Sequence, residues 1–219
     1  MRFSLRQFQA VIFDLDGVLI DSMPHHVAAW QEVFRSFHVE VPAEELRRHE
    51  GEKARITIGR LAKKHGLSFS DAELEELVER KRRIYRKQAP RGMRPVARKA
   101  LAALKKRGFK TAIVTGSVRP NLEWTLSPDD LALFDVIVTS EECINGKPDA
   151  EPFQKAAQRL GLAPEHCLVI ENAPLGIRSA KAAGMACLAL TTTMERGVLQ
   201  EADWIVQDLD GIADLIVPE

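Results

Sequence analysis

Val11-Ile12-Phe13-Asp14-Leu15-Asp16-Gly17-Val18 sets two carboxylates, one residue apart, at the end of an apolar run. The run has the length and composition of a buried strand. The two acids that follow it are aimed at one point on the rim of a sheet. Ionised groups so near a core are costly unless a cation or hydrogen bonds compensate. Asp14 therefore reads as a nucleophile, Asp16 as its acid/base partner, and a divalent metal as what lets them coexist.

Outward from this stretch, short apolar or β-branched runs recur at residues 110–115, 135–139, 167–171 and 186–190. Helical periodicity fills residues 96–106, 151–160 and 174–183, the last followed by Gly184 as a C-cap signal. Strand, helix, strand in repetition predicts an α/β fold, a Rossmann-like doubly wound parallel sheet with helices on both faces. Residues 22–91 break that rhythm, with helical segments at 27–37, 52–65 and 71–88 and no convincing strand. The last segment runs from acidic (Glu73, Glu75, Glu76, Glu79) to basic (Arg80, Lys81, Arg82, Arg83, Arg86, Lys87). That gradient suits a helix dipole and a solvated face better than a nucleic-acid patch. The expected organisation is an α/β core of residues 1–21 and 92–219, interrupted by a helical module of residues 22–91.

The chain has 219 residues, 45% of them hydrophobic, enough for one large domain or a core with an insertion. Its 31 basic and 31 acidic residues give no global field, which argues against nucleic acid or an anionic membrane as partner. No apolar run approaches the roughly 20 residues of a membrane helix. Residues 1–10 carry two arginines but no apolar segment or small-residue cleavage site, so no signal peptide is expected there. Cys143, Cys167 and Cys187 lack metal-ligand spacing and read as reduced, buried thiols of a cytoplasmic protein. The expected state is a monomer, although the charge balance is equally compatible with a dimer.

In open parallel sheets, ligands sit beyond the carboxyl ends of the strands. Beside Asp14 and Asp16, three further strand ends carry polar residues: Val114-Thr115-Gly116-Ser117, Gly146-Lys147-Pro148-Asp149, and Glu171-Asn172. Singly, Thr115 is a hydroxyl that satisfies local backbone, and Lys147 a solvated charge.

With these four motifs in order, followed by Ala173-Pro174-Leu175-Gly176-Ile177, the chain resembles the haloacid dehalogenase superfamily. More narrowly, it is similar to the phosphatase and β-phosphoglucomutase branch with a helical C1-type cap. Phosphoryl transfer needs an in-line nucleophile and compensation for the charge on three equatorial oxygens. The Asp14 carboxylate could attack phosphorus and form an aspartyl-phosphate, splitting one hard step into two. A hard cation, Mg²⁺, would relieve the repulsion between nucleophile and substrate. The resemblance implies metal ligation by the Asp14 carboxylate and the Asp16 backbone carbonyl, leaving the Asp16 side chain to move the proton. It also implies that Thr115, with the amides around Gly116 and Ser117, binds a phosphoryl oxygen. Lys147 would set a fixed positive charge against the phosphoryl group and Asp14. Glu171 and Asn172 are the remaining metal-site groups, with Asn172 standing where the family often has Asp. An amide oxygen can ligate Mg²⁺ but brings no charge. Asn172 is expected as a direct ligand, Glu171 as a direct or outer one, and helix capping by Asn172 is the structural alternative.

The resemblance assigns residues 22–91 to a cap whose closure excludes water. His26 falls where the mutase-like branch has a His near the acid/base Asp, against an ordinary core or surface His. Ala54 stands where β-phosphoglucomutases carry a phosphate-gripping Arg, flanked by Lys53 and Arg55, and Val118 where mutases tend to have Lys. A mutase must hold a second phosphate while its intermediate turns over. Loss of two cations favours a simple phosphatase on a small sugar or polyol phosphate, with Lys53, Arg55 or Arg119 as substitutes if β-phosphoglucomutase is the activity. A receiver-type phospho-acceptor domain is disfavoured by the position of Asp14 on the first strand, and a non-catalytic binding domain by its presence.

Overall fold

Ala10–Phe13 forms β1, with every residue buried, in the middle of a six-stranded parallel sheet. The computed structural model describes residues 8–210 and 212, so the expectation for the first residues, and the last part of the 92–219 segment, lie outside the described residues. The other strands are β2 (Lys110–Val114), β3 (Val136–Val138), β4 (Cys167–Glu171), β5 (Ala186–Leu190) and β6 (Trp204–Val206). Their spatial order is β3-β2-β1-β4-β5-β6. Phe13 stands level with Ile113 on β2 and Ile170 on β4, so the carboxyl ends of these three neighbours finish together.

The central strands are apolar on both faces because helices cover both. Phe13, Ile113 and Ile170 pack with Leu101 and Leu104 of α5 (Pro95–Lys106) and Leu122 of α6 (Arg119–Thr125). Ile12, Val114 and Val169 pack on the other face, with Phe153 of α8 (Glu151–Leu160) and Ile177 of α9 (Pro174–Ala182). A short α7 (Pro128–Leu131) lies between α6 and β3. The Rossmann-like doubly wound fold expected from the sequence is the fold observed.

Between β1 and β2 lie α1 (Met23–Arg35), α2 (Ala43–Arg47), α3 (Ala54–Lys64) and α4 (Asp71–Gln88). They enclose an apolar cluster of their own, including Trp30, Phe34, Ile58, Leu61, Val78 and Tyr85. Ser70 caps α4, exchanging hydrogen bonds with Glu73 in a capping box. The basic half of α4 is not one solvated face, as the charge gradient suggested: Lys81 is only 6% exposed and turned inward. The five-residue α2 and three-residue β6 were not anticipated, being too short to show a period. Among the described residues no helix is long and apolar enough to cross a membrane.

Candidate active site

The backbone N–H of Asp14 still donates to Ile170 at 2.9 Å, so its carboxylate leaves the sheet from a fixed point. Lys147 lies in the loop after β3 and crosses the end of β2 to meet it. Its buried Nζ donates to Asp14 Oδ1 at 2.5 Å, Glu171 Oε1 at 2.6 Å and the Val114 carbonyl at 3.3 Å. The other Glu171 oxygen accepts from the backbone N–H of Asn172 (2.8 Å) and Ala173 (3.1 Å). Gly176 makes room for this, because a Cβ there would run into the Glu171 carboxylate. Two carboxylates thus share one buried ammonium. Burial, and then the charges of Glu171 and Asp16, push Asp14 up to about 7 against the pull of Lys147. Burial disfavours the charged lysine, but Asp14 and Glu171 hold Lys147 above its usual range.

Asp16 has a separate set of partners. Ser22 Oγ donates to its Oδ1 at 2.5 Å, His26 Nε2 lies 2.9 Å from the same oxygen, and Ser117 Oγ donates to Oδ2 at 3.2 Å. The His26 ring stacks on Tyr85 with centroids 4.0 Å apart, and its Nδ1 lies 2.5 Å from Nζ of Lys81. Lys81 also sits over the Trp30 ring, 5.2 Å from its centroid. Burial and then the charge of Lys81 lower His26, against the opposing effect of Asp16. The ring is therefore neutral, taking a hydrogen from Lys81 at Nδ1 and giving one to Asp16 at Nε2. Burial alone would raise Asp16, but His26, Ser22 and the cation of Lys81 hold it well below the ordinary carboxylate range. Lys81 is itself brought down by burial to about 8.

Thr115 is buried at the end of β2, where its Oγ1 accepts the backbone N–H of Ser117 at 3.0 Å. At Gly116 the helical module comes so close that a Cβ would lie 2.7 Å from the carbonyl of Gly51. Between module and sheet is a cavity of about 80 Å³. Of the residues singled out in the sequence, Asp14, Asp16, His26, Gly116 and Ser117 line it. Lys53 and Arg55 do not. The ammonium of Lys53 donates to the carbonyls of Cys143 (2.5 Å) and Ile144 (3.1 Å) on the sheet side. Arg55 is held by Asp71 and Glu75 within the module. Trp30, Lys81, Arg82 and Asn121 line the cavity without having been anticipated. For Lys81 a signal existed: it continues the buried stripe Leu77, Val78, Ile84 and Tyr85 of α4.

Asn172 follows β4. Its Nδ2 donates to Glu50 Oε1 and, at 2.8 Å, to Thr193 Oγ1, while its buried Oδ1 has no hydrogen-bond partner among the described residues. It does not cap α9, whose N-cap is Ala173 with no side-chain bond. Burial raises Glu50 well above its ordinary value. No cluster of three or more His, Cys, Asp and Glu side chains suited to a metal occurs among the described residues. What the described residues offer a hard cation is oxygen: the Asp14 carboxylate at the end of β1 and, at the end of the neighbouring β4, a buried amide oxygen without a hydrogen-bond partner.

Residues 8–184 match the model of the haloacid dehalogenase-like hydrolases, and the chain belongs to that family. It is 33% identical over 204 residues to hexitol phosphatase A of Escherichia coli, covering 92% of this chain and 91% of that one. Against the β-phosphoglucomutase of Bacillus subtilis the identity is 31% over 190 residues, covering 81% and 80%. Among solved structures, a hydrolase from Pseudomonas syringae is similar with a TM-score of 0.82 and 25% identity, covering 95% of this chain and all of that one. The chain is accordingly an enzyme of the haloacid dehalogenase-like class.

Proposed function

We propose that the protein is a phosphomonoester hydrolase for a small sugar or polyol phosphate. The observation that carries this is the separation of two neighbouring carboxylates into unlike environments. Asp14 is paired with Lys147 and pushed up, and Asp16 is tied to the His26–Lys81 chain and held down. Asp14 thus lies against a fixed ammonium, as an attacking carboxylate needs, and Asp16 against a chain of hydrogen-bonding groups that can orient it for proton transfer. Asp14 attacks phosphorus to form an aspartyl-phosphate, and Lys147 offsets the charge on nucleophile and phosphoryl oxygens. Asp16 moves the proton between the leaving oxygen and the attacking water, oriented by His26 and Ser22. Thr115 and the Gly116–Ser117 amides bind the phosphoryl oxygens. Mg²⁺, held by the Asp14 carboxylate, the Asp16 backbone carbonyl and Asn172 Oδ1, would neutralise charge at the phosphoryl group. Glu171, with both oxygens engaged, supports Lys147 from outside that set.

Residues 22–91 act as the cap, whose Trp30 and Arg82, with Asn121 of α6 in the core, are set to meet the organic part of the substrate. Hydrolysis is favoured over mutase chemistry because Ala54 and Val118 offer no cation for a second phosphate, and Lys53 and Arg55 are committed elsewhere. A panel of hexitol and sugar phosphates, β-glucose 1-phosphate included, should release phosphate in the presence of Mg²⁺. Glucose 6-phosphate formed without free phosphate would instead establish the mutase. Full activity in Asp14→Asn would dismiss Asp14 as the nucleophile.

A further inference from the structure

Asn172 poses a problem that a carboxylate in its place would not. A carboxylate offers oxygen whichever way it turns, whereas an amide offers oxygen only if its NH₂ is satisfied on the other side. Here that other side is built by two distant segments. Glu50, in the loop between α2 and α3, is 4% exposed and reaches across to accept from Asn172 Nδ2 through Oε1. Thr193, in the loop after β5, gives its own hydroxyl hydrogen to Glu50 Oε2 at 3.1 Å. Its oxygen is thereby left to accept the second Nδ2 hydrogen, at 2.8 Å. With Glu50 ionised, turning the amide over would set Oδ1 against carboxylate oxygens and take both N–H groups from their present acceptors, a costly arrangement. The network therefore favours one orientation and leaves Oδ1 buried without a hydrogen-bond partner among the described residues.

With the site read, as above, as a divalent-cation site, we propose that Glu50 is a positioning residue: brought in by the helical module, it holds the Asn172 amide with its oxygen free for the cation. Thr193 alone satisfies one hydrogen of the two, so the orientation is complete only with the module closed. Cation affinity and closure are thus coupled, and the coupling is reciprocal: the cation draws the module down as closure tightens the cation.

The test is titration of the metal alone, Mn²⁺ followed by electron paramagnetic resonance, into substrate-free protein. Outer partners of a ligand typically contribute about tenfold in affinity, so Glu50→Ala should bind Mn²⁺ about tenfold more weakly, and Glu50→Gln, whose amide oxygen can still accept, within about threefold of the parent. Asn172→Asp adds a charge but places it against Glu50. It should leave affinity unimproved in the parent and tighten it in the Glu50→Gln background. Mn²⁺ should also slow amide exchange of residues 48–53 in the parent and not in Glu50→Ala. Equal affinity in the parent and Glu50→Ala would overturn the role of Glu50 alone. So would equal tightening by Asn172→Asp in both backgrounds, which keeps the test intact if Glu50→Ala does not fold. Failure of the parent to bind Mn²⁺ would overturn the cation site itself.

Discussion

Lys81 Nζ lies 2.5 Å from Nδ1 of His26, on the far side of the ring from the nitrogen that faces Asp16 at 2.9 Å. A buried cation thus acts on a carboxylate it does not touch, through a neutral imidazole. Lys81→Met should lower kcat by about 10²-fold, the lower end of what positioned acid/base groups contribute. Loss of the Lys81 proton near pH 8 gives the parent an alkaline limb in its rate profile, which the variant should lack. Stability moves the other way. Burial brings Lys81 down to about 8 in the folded protein from its ordinary 10.5, so between those values the unfolded chain binds more protons and stability rises with pH. That slope should vanish in Lys81→Met, whose melting temperature at pH 7 should equal or exceed the parent's because a buried charge has gone. An unchanged alkaline limb in the variant would remove Lys81 from the chemistry.

Asp14 carries the opposite dependence. Its value is raised to about 7 from 3.8, so without metal the folded protein binds the extra proton between these values and loses stability as pH rises through the window. Asp14→Asn should be inactive yet fold, with a flatter metal-free melting profile from pH 4 to 7. Added Mg²⁺ should raise the melting temperature of the parent more at pH 8 than at pH 5, since the ligand is ionised only at the higher pH. Equal pH profiles in parent and Asp14→Asn would contradict the buried Asp14–Lys147–Glu171 arrangement.

Gly116→Ala places a methyl group 2.7 Å from the Gly51 carbonyl, a backbone atom that can yield only if the module lifts. Overpacking of this kind typically costs about 1–3 kcal/mol, so kcat/KM should fall about tenfold or more while the sheet and the helices keep their own stability. Gly59→Ala is the control. Gly59 lies within α3 with nothing near its missing Cβ, and the change should leave kinetics alone while stabilising the fold by about 0.5–1 kcal/mol. Steady-state kinetics and thermal melts of the two variants check both statements.

Arg55 and Lys53 should part company. Arg55→Ala removes half-exposed ion pairs to Asp71 and Glu75, worth at most about 1 kcal/mol, and should leave kcat and KM unchanged. Lys53→Met cuts the module's bonds to the Cys143 and Ile144 carbonyls. It should raise KM and speed amide exchange of residues 48–53. A large kinetic defect in Arg55→Ala would mean that this side chain leaves its partners to meet substrate.

The strand-end residues were legible because each follows directly on a run whose composition announces a buried strand. Asp14, Thr115 and Glu171 then align because β1, β2 and β4 are neighbours in register. Residues that enter the site from the helical module were harder to read. Glu50 sits in a loop with no period to mark it, and its partners are more than a hundred residues away. Lys81 was hidden by its charge, since basic residues around it made a solvated face the simpler reading. Arg55 was misplaced for a related reason: adjacency to Ala54 in sequence says nothing about which side of α3 it occupies. For Asn172, expected as a ligand with helix capping as the alternative, the structure shows no cap bond, its amide being turned to Glu50 and Thr193.

The strand order β3-β2-β1-β4-β5-β6 also bears on how a nascent chain acquires this structure. β1 is made first, yet its neighbours begin at Lys110 and Cys167, and the helical module must be synthesised before either. That module has its own core and short-range helix contacts, so it can condense while β1 waits. During translation the apolar segment Ala10–Phe13 is therefore an unsatisfied strand, and Asp14 is attached to it from the outset. Until β2 and β4 are made, Ala10–Phe13 has no strand to pair with, so burial of the Asp14 carboxylate is completed only after Cys167–Glu171 has been synthesised.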